Sequence, residues 1–326
     1  MHSQNEVDDT KIIEIPKELT VVEAVSFRNA FRSICEAAGH PSKVVLDFSK
    51  TTFLDSSGIG ALASSIKMSK NSNITLTITR FNPQVGAILA MTGLDKVLPV
   101  EQDNGGKLEA GSMNVLDTVA LPVTHPSIRS HAKRFIDVLG ALAGLLITAI
   151  LFIPIAIAIK HDSPGPLLFS QTRCGWMGKK FKLWKFRSMT ADAEARKHEV
   201  KNEAEGAIFK AKDDPRITQV GRFLRRTSLD ELPQFWNVLE GSMSLVGTRP
   251  PTPDEIDQYD VPEWRRLDVK PGITGEWQVH GRSSIKNFED IIRLDLRYQR
   301  NWSFLYDIHL LFKTIKVIFS KNSGAM

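Results

Sequence analysis

Two adjacent carboxylates, Asp230 and Glu231, stand among Arg222, Arg225, Arg226 and Arg249 in the stretch GRFLRRTSLDELPQFWNVLEGSMSLVGTRPP, residues 221–251. That combination suits chemistry on phosphates. A carboxylate can attack phosphorus or hold a metal ion, while guanidinium groups neutralise phosphate oxygens two at a time. A solvated helix end also places acids beside arginines, so the spacing alone leaves both readings open. Pro233 lacks an N–H and fits only a first helical turn, which predicts a helix starting near Leu229 or Asp230. Both acids would then lie at the positive helix end, which favours their ionised forms. Neighbouring residues at a helix start point in different directions and take different roles, one as nucleophile, the other as metal ligand or orienting group. Mg²⁺ is the expected ion, since one or two carboxylates plus substrate phosphates is its usual ligand set.

An apolar run positions this site. Val138 to Ile159, VLGALAGLLITAILFIPIAIAI, holds no charged residue. As a helix it measures about 33 Å, enough to reach across the hydrocarbon core. It starts past residue 130, which excludes a cleavable signal peptide. Arg129, Lys133 and Arg134 precede it and Lys160 follows, with Lys179 and Lys180 further on. A spanning helix has one basic cytoplasmic flank, and here both flanks qualify. Pro154 breaks the backbone ladder and can turn the chain back toward its starting face, although prolines also occur in spanning helices. The reading favoured here is a re-entrant helix-break-helix at about residues 134–160.

Charge is distributed unevenly. Residues 1–130 carry 12 Lys+Arg against 14 Asp+Glu, and the remainder 30 against 23, within a total net charge of +5. The basic excess thus accompanies the membrane segment and the acid pair, which suits anionic headgroups and anionic substrates. No nucleic-acid motif or arginine-rich arm is present, so nucleic acid is not an expected partner. Cys35 and Cys174 are far apart and lack metal-ligand spacing, which argues against a disulfide framework.

The N-terminal part alternates strand and helix. Lys11–Ile15, Val44–Phe48 and Ile74–Thr79 read as strands. Thr20 with Glu23 forms a capping-box pattern, opening a helix with Phe27, Phe31, Ile34 and Ala38 on one face. Asn82-Pro83 starts another helix and Gly93 is placed to end it. Between the second and third strands lies FLDSSGIGALASSIKMS, where Ser56 or Ser57 would cap a helix. A serine there meets free N–H groups and a positive dipole, so an added phosphate would be tolerated; a plain N-cap is the alternative.

Residues 8 to 100 resemble the STAS domain shared by sulfate transporters and anti-sigma factor antagonists. The resemblance rests on VVLDFSKTTFLDSSGIGAL. It implies an α/β fold, a mixed sheet with helices, and a regulatory, docking or oligomerising role. In phosphorylated members the acceptor precedes the glycine, which makes Ser57 the candidate here. A kinase or phosphatase acting on this domain, and a homodimer, are the protein partners it suggests.

Residues 101–131, broken by Gly105-Gly106, Gly111, Pro122 and Pro126, read as a linker. In the second domain, residues 132–326, KKFKLWKFRSM alternates cations with large apolar residues, as a strand or helix on a membrane surface or as a half-buried strand. Residues 189–212 read as a charged helix. Near the C-terminus NFEDIIRLDLRYQRNW and FLYDIHLLFKTIKVIF are amphipathic helices, the second apolar enough either for the membrane interface or for the core.

This domain resembles the monotopic bacterial sugar transferases, the polyprenyl-phosphate phosphoglycosyl transferases. The motifs are KRFIDVLGA, SPGPLLFSQTRCG, KFRSM, DPRITQVGRFLRRTSLDELPQFWNVLEGSMSLVGTRP, KPGITGEWQVHGR and LDLRYQRNWSFLYDIHLL. The resemblance implies a mainly helical α+β domain with a re-entrant helix, on the cytoplasmic face of a bacterial inner membrane, with both domains cytosolic. The implied reaction moves a sugar 1-phosphate from a UDP-sugar to polyprenyl phosphate, releasing UMP, at the start of exopolysaccharide, capsule or O-antigen assembly. Asp230 would attack the sugar-linked phosphorus and form an acyl-phosphate. Glu231, with Asp230, would hold Mg²⁺, and Lys185, Arg225 and Arg249 match basic positions around the phosphates. Ile153 stands where serine often precedes Pro154, and Thr248 where proline is more usual. A membrane-tethered STAS signalling scaffold with an inactive transferase half is the alternative.

Overall fold

The structure, a computed structural model, describes residues 9–101, 122–209, 211, 213–280, 285 and 287–319. Most of the expected linker, residues 102–121, and Gly281-Arg282 of the KPGITGEWQVHGR motif lie outside the described residues. The chain divides into two compact units. Unit 1 comprises Met1–Thr124 with Met177–Lys179 and Tyr259–Asp268, and unit 2 the rest.

In unit 1 the β-branched runs form strands β1 (Thr10–Glu14), β3 (Lys43–Asp47) and β5 (Thr75–Thr79) in the order β1–β3–β5. Ile12 lies opposite Val45, and Val45 opposite Thr77, in parallel register. The short strands β2 (Glu18–Leu19) and β4 (Phe53–Leu54) also pair in parallel. Every strand pairing described in this unit is parallel, which corrects the expected mixed sheet. The cause is connectivity: helices α1 (Val21–Glu36) and α2 (Ser56–Asn71) each carry the chain back to the opposite end of the sheet, so the next strand starts where the previous one started, as crossover connections require. Phe27 and Phe31 of α1 pack into a core with Val44, Leu46, Phe48, Leu62 and Ile78. Thr20 does occupy the N-cap of α1, but its hydroxyl donates to the Glu23 carboxylate at 2.5 Å, and it makes no side-chain bond to the helix backbone. Helix α3 (Pro83–Thr92) is capped by Asn82, whose Oδ1 accepts from the Val85 N–H at 2.9 Å. It ends at Gly93, whose φ of 75° is the left-handed conformation glycine adopts without cost.

Unit 2 is built on one long helix. After the short α4 (Pro126–Arg129), α5 runs from His131 to Asp162 as 32 continuous helical residues, with Pro154 inside it. It is long and apolar enough to cross a membrane. Both ends are anchored in the unit. At the start, the Lys133 ammonium donates to the Asp307 carboxylate at 2.7 Å and to the Val246 carbonyl at 2.8 Å, all buried. One turn later Asp137 accepts from the Ser244 hydroxyl and the Leu245 N–H. Gly140 and Gly144 let Leu245 and Phe235 pack directly on the helix, since an added Cβ at either would overlap those side chains. Toward the other end, Ile155 and Ile159 join Phe186 and Leu224 in a second core, and Asp162 accepts from the Val220 N–H at 2.9 Å. Between these anchorages Leu146, Ile147, Ile150 and Ile153 are exposed.

Around α5 are a hairpin of β6 (Leu168–Cys174) and β7 (Lys180–Phe186), helices α6 (Gln219–Arg226) and α7 (Gln234–Glu240), and the parallel pair β8 (Ser244–Val246) and β9 (Gly272–Thr274). Short helices α8 (Pro253–Ile256) and α9 (Glu276–Val279) precede α10 (Phe288–Asn301) and α11 (Phe304–Phe319). The KKFKLWKF run is therefore a strand, and the two C-terminal amphipathic helices form. On α11, Asp307 and Leu310 face the core while Leu305, Phe312 and Ile315 are exposed. The expected helix over 189–212 does not form. Among the described residues there, only a 3-10 turn, Ala195–Glu199, forms, because Thr190 N–H bonds the distant Arg216 carbonyl and Ala193 O is taken by the Arg216 guanidinium.

Candidate active site

The acid pair occupies a 3-10 turn, Leu229–Glu231, between α6 and α7. Ser228 adopts a left-handed conformation, φ 56°, and makes the sharp change of direction out of α6. Helix α7 begins at Gln234, with Pro233 as its N-cap, and not at Leu229 or Asp230. The correction has a physical cause: the lack of a proline N–H is tolerated equally at a helix boundary, so Pro233 separates the turn from the helix. Asp230 is 5% exposed, and Glu231 is half-buried beside it.

Strand β7 delivers Lys185 to this turn. Its ammonium donates to Glu231 Oε1 at 3.2 Å. Two bonds through Asn237 hold the strand against α7: Asn237 Oδ1 accepts from the Trp184 N–H, and its amide donates to the Lys182 carbonyl at 2.8 Å. Arg225, on the last turn of α6, is half-buried and donates from Nε to the Ser188 hydroxyl at 3.1 Å. The helix and the 188–189 segment thus fix its guanidinium close in sequence to the acids. Arg222 and Arg226 point to solvent.

Arg249 is held differently. Its guanidinium makes a two-pronged pair with Glu255, at 2.6 and 2.9 Å, and lies 5.7 Å over the Trp277 ring. Glu255 also closes a capping box with Thr252 at the start of α8. Thus the structure joins Lys185 to the acid pair, whereas the contacts it describes for Arg249 are with Glu255 and Trp277. Glu255 escaped the sequence reading, although Thr252-x-x-Glu255 before Ile256 is a capping-box pattern that could have revealed it. Among the described residues no three His, Cys, Asp or Glu side chains cluster as a metal cage. The adjacent carboxylates of Asp230 and Glu231 still fit Mg²⁺, which takes few protein ligands and completes its shell with water and substrate phosphates.

In unit 1 the serines of the DSSG loop do not cap α2. Asp55 is the N-cap, its Oδ1 accepting from the Gly58 N–H at 2.9 Å, and Ser56 and Ser57 are the first helical residues. Both serines are fully buried. Asp55, one carbon longer than serine, reaches the third amide from the cap position. Pro154 lies within α5 without interrupting it.

The model of the family described as bacterial sugar transferase matches residues 128–321, well over half of the chain. The chain belongs to the bacterial sugar transferase family. This family is membrane-associated, and α5 is the candidate membrane element of this sugar transferase. A STAS domain model matches residues 3–105. The sugar transferase is 52% identical over 189 residues to the galactosyl transferase CpsE of Streptococcus agalactiae, covering 57% of this chain and 42% of that protein. It is 44% identical over 191 residues to the UDP-glucose:undecaprenyl-phosphate glucose-1-phosphate transferase of Escherichia coli, covering 56% of this chain and 39% of that protein. The chain thus spans less than half the length of those relatives. The exopolysaccharide production protein ExoY of Rhizobium meliloti is 38% identical over 197 residues, covering 59% of this chain and 87% of that protein.

Proposed function

We propose that this protein transfers a sugar 1-phosphate from a UDP-sugar to polyprenyl phosphate, as the first membrane step of exopolysaccharide, capsule or O-antigen assembly. The observation that carries the reading is the buried Asp230 beside a Glu231 already paired with Lys185, inside the region matching the sugar transferase family. Relatives known as an undecaprenyl-phosphate galactose phosphotransferase and a UDP-glucose:undecaprenyl-phosphate glucose-1-phosphate transferase support it.

The Asp230 carboxylate attacks the sugar-linked phosphorus, forming an O–P bond. The bond from that phosphorus to the bridging oxygen breaks, and UMP leaves with the electron pair. An oxygen of the lipid phosphate then attacks the same phosphorus, and Asp230 departs as a free carboxylate. Division into two displacements lets one small site serve a soluble and a lipid substrate in turn. Lys185 orients Glu231 and adds positive charge beside the transferring phosphate, and Arg225 neutralises phosphate oxygens from the end of α6. Arg249, steadied by Glu255 and Trp277, is assigned to the nucleotide's phosphates. Asp230 and Glu231 would hold Mg²⁺, which supplies neutralisation of the diphosphate and of the leaving phosphate.

A re-entrant course for α5 is part of the proposal. Lys133 and Asp137 at one end, and Ile155, Ile159 and Asp162 at the other, all pack within the same compact unit, while Leu146, Ile147, Ile150 and Ile153 between them are exposed. A helix crossing the bilayer would put those two ends on opposite sides. Both units would then lie on the cytoplasmic face, where nucleotide sugars are found. The STAS unit would regulate the enzyme, through a kinase or phosphatase acting at Ser57 or through dimer contacts.

The test is nucleotide release from a panel of UDP-sugars by nanodisc-held protein with polyprenyl phosphate and Mg²⁺. UMP is the expected product, and Asp230→Asn lowers its release by on the order of 10³-fold or more. Release of UDP would move the protein to direct glycosyl transfer. Silence across the panel would favour the membrane-tethered STAS scaffold with an inactive transferase half.

A further inference from the structure

Unit 1 contains a guest. Tyr259–Asp268 is separated from the STAS match in sequence and lies inside the sugar transferase match, yet it belongs to unit 1. The chain leaves unit 2 after Gln258 and re-enters it at Val269. A 3-10 helix, Val261–Leu267, seats the segment on the STAS helices. Arg28 of α1 lies 3.6 Å from the Asp260 carboxylate. Trp264, 7% exposed, fits against Gly60 of α2 so closely that a Cβ there would come within 2.5 Å of its ring. Asp268 Oδ1 accepts from the Ser56 N–H at 3.1 Å. Thr124 donates to the Asp268 carbonyl at 2.6 Å.

The contact falls on one turn. Asp268 satisfies the first amide of α2 and Trp264 covers its fifth residue, so Ser57 lies between the two fixings. The Ser57 hydroxyl is buried and has no hydrogen-bond partner among the described residues. Two carboxyls, Asp55 and Asp268, already occupy the positive end of the helix, where anions are favoured. A phosphoryl group on Ser57 would bring about −1.5 to −2 charge and three acceptor oxygens into this space. It would compete for the Ser56 N–H and repel Asp268.

We propose that Tyr259–Asp268 is an intrachain ligand of the STAS surface, seated through Asp268 and Trp264, and that a phosphate on Ser57 releases it by taking Asp268's place. The proposal deepens the regulatory reading above and rests on it. The phosphoryl group comes from a nucleoside triphosphate held by a protein kinase: the Ser57 Oγ–P bond forms, the nucleoside diphosphate leaves with the electrons of the broken P–O bond, and the hydroxyl proton goes to the kinase's base.

Hydrogen–deuterium exchange of the full chain in nanodiscs tests this. In Ser57→Glu, amides of residues 259–268 should exchange about tenfold faster or more, while strand β3 keeps its protection and Ser57→Ala behaves as the parent. Gly60→Ala should release the segment by contact alone, although alanine favours a helix over glycine. Unchanged exchange of the segment in Ser57→Glu would overturn the proposal. So would loss of β3 protection together with the segment, because release leaves the sheet intact. UMP release measured on the same samples separates the two ideas: none from the parent protein sinks the transferase reading, whatever the exchange shows.

Discussion

In the proposed reaction Asp230 and Glu231 would divide the work because their surroundings differ. Asp230 is buried in a tight turn, and Glu231 reaches outward to the Lys185 ammonium. Arg249 illustrates a second residue-scale device, a guanidinium fixed by a buried carboxylate and an aromatic face. An ammonium cannot make two parallel bonds to Glu255 or lie flat on Trp277. Arg249→Lys should therefore lower stability by about 1–3 kcal/mol, read from thermal denaturation in detergent. An unchanged melting temperature would show that the pairing with Glu255 is incidental. The acid pair drew attention in the sequence through residue type and local spacing, whereas Lys185, 46 residues away from Glu231, came only from the family resemblance. Glu255 was legible in principle, through its capping box. Asp268 was not, since its bond to Ser56 joins residues 212 apart in sequence and leaves no local pattern.

At the scale of elements, periodicity was a good guide wherever a segment buries one face. The three expected strands of unit 1 (β1, β3 and β5), α1 to α3 and the two C-terminal helices all formed near their expected bounds. It was a poor guide at 189–212, where charged residues suit a helix and a solvated loop equally and long-range bonds to Arg216 decide the outcome. The contact between α2 and Tyr259–Asp268 should respond to pH. Burial and the nearby Asp55 push the Asp268 carboxyl up to about 7. Burial raises Asp55 too, against its bonds from the Gly58 and Ser57 amides, with Arg265 lowering it and Glu23 raising it. Between the ordinary carboxylate range and about 7, the folded state holds a proton that the unfolded state lacks. Stability of unit 1 therefore falls as pH rises through that window and levels off above it. Pulse proteolysis in urea should give a higher midpoint for this unit at about pH 6 than at about pH 8. Equal midpoints would mean that both carboxyls are already ionised in the folded unit at about pH 6.

For the whole molecule, the sequence carried the joining of a STAS module to a sugar transferase, and the family matches bear it out. Its motifs are long and ordered, which makes them legible without any knowledge of packing. The course of α5 was less so, because proline in an apolar run fits a spanning helix and a returning one alike. Single cysteines placed at His131 and at Asp162, in a background lacking Cys35 and Cys174, should both be protected from an impermeant maleimide in intact cells. Both should react once the cytoplasmic face is exposed in inverted vesicles. Labelling of one from outside would make α5 a spanning helix and place its ends on opposite sides.

The central claim is that Asp230 carries the sugar phosphate between two substrates. Intact-protein mass spectrometry after incubation with a UDP-sugar and Mg²⁺, without lipid phosphate, tests it most directly. A mass increase of one sugar phosphate, cleared by adding polyprenyl phosphate and missing in Asp230→Asn, is the predicted result. An Asp230→Asn protein that still acquires the adduct, or an active parent that never does so while releasing UMP only when lipid is present, would contradict it.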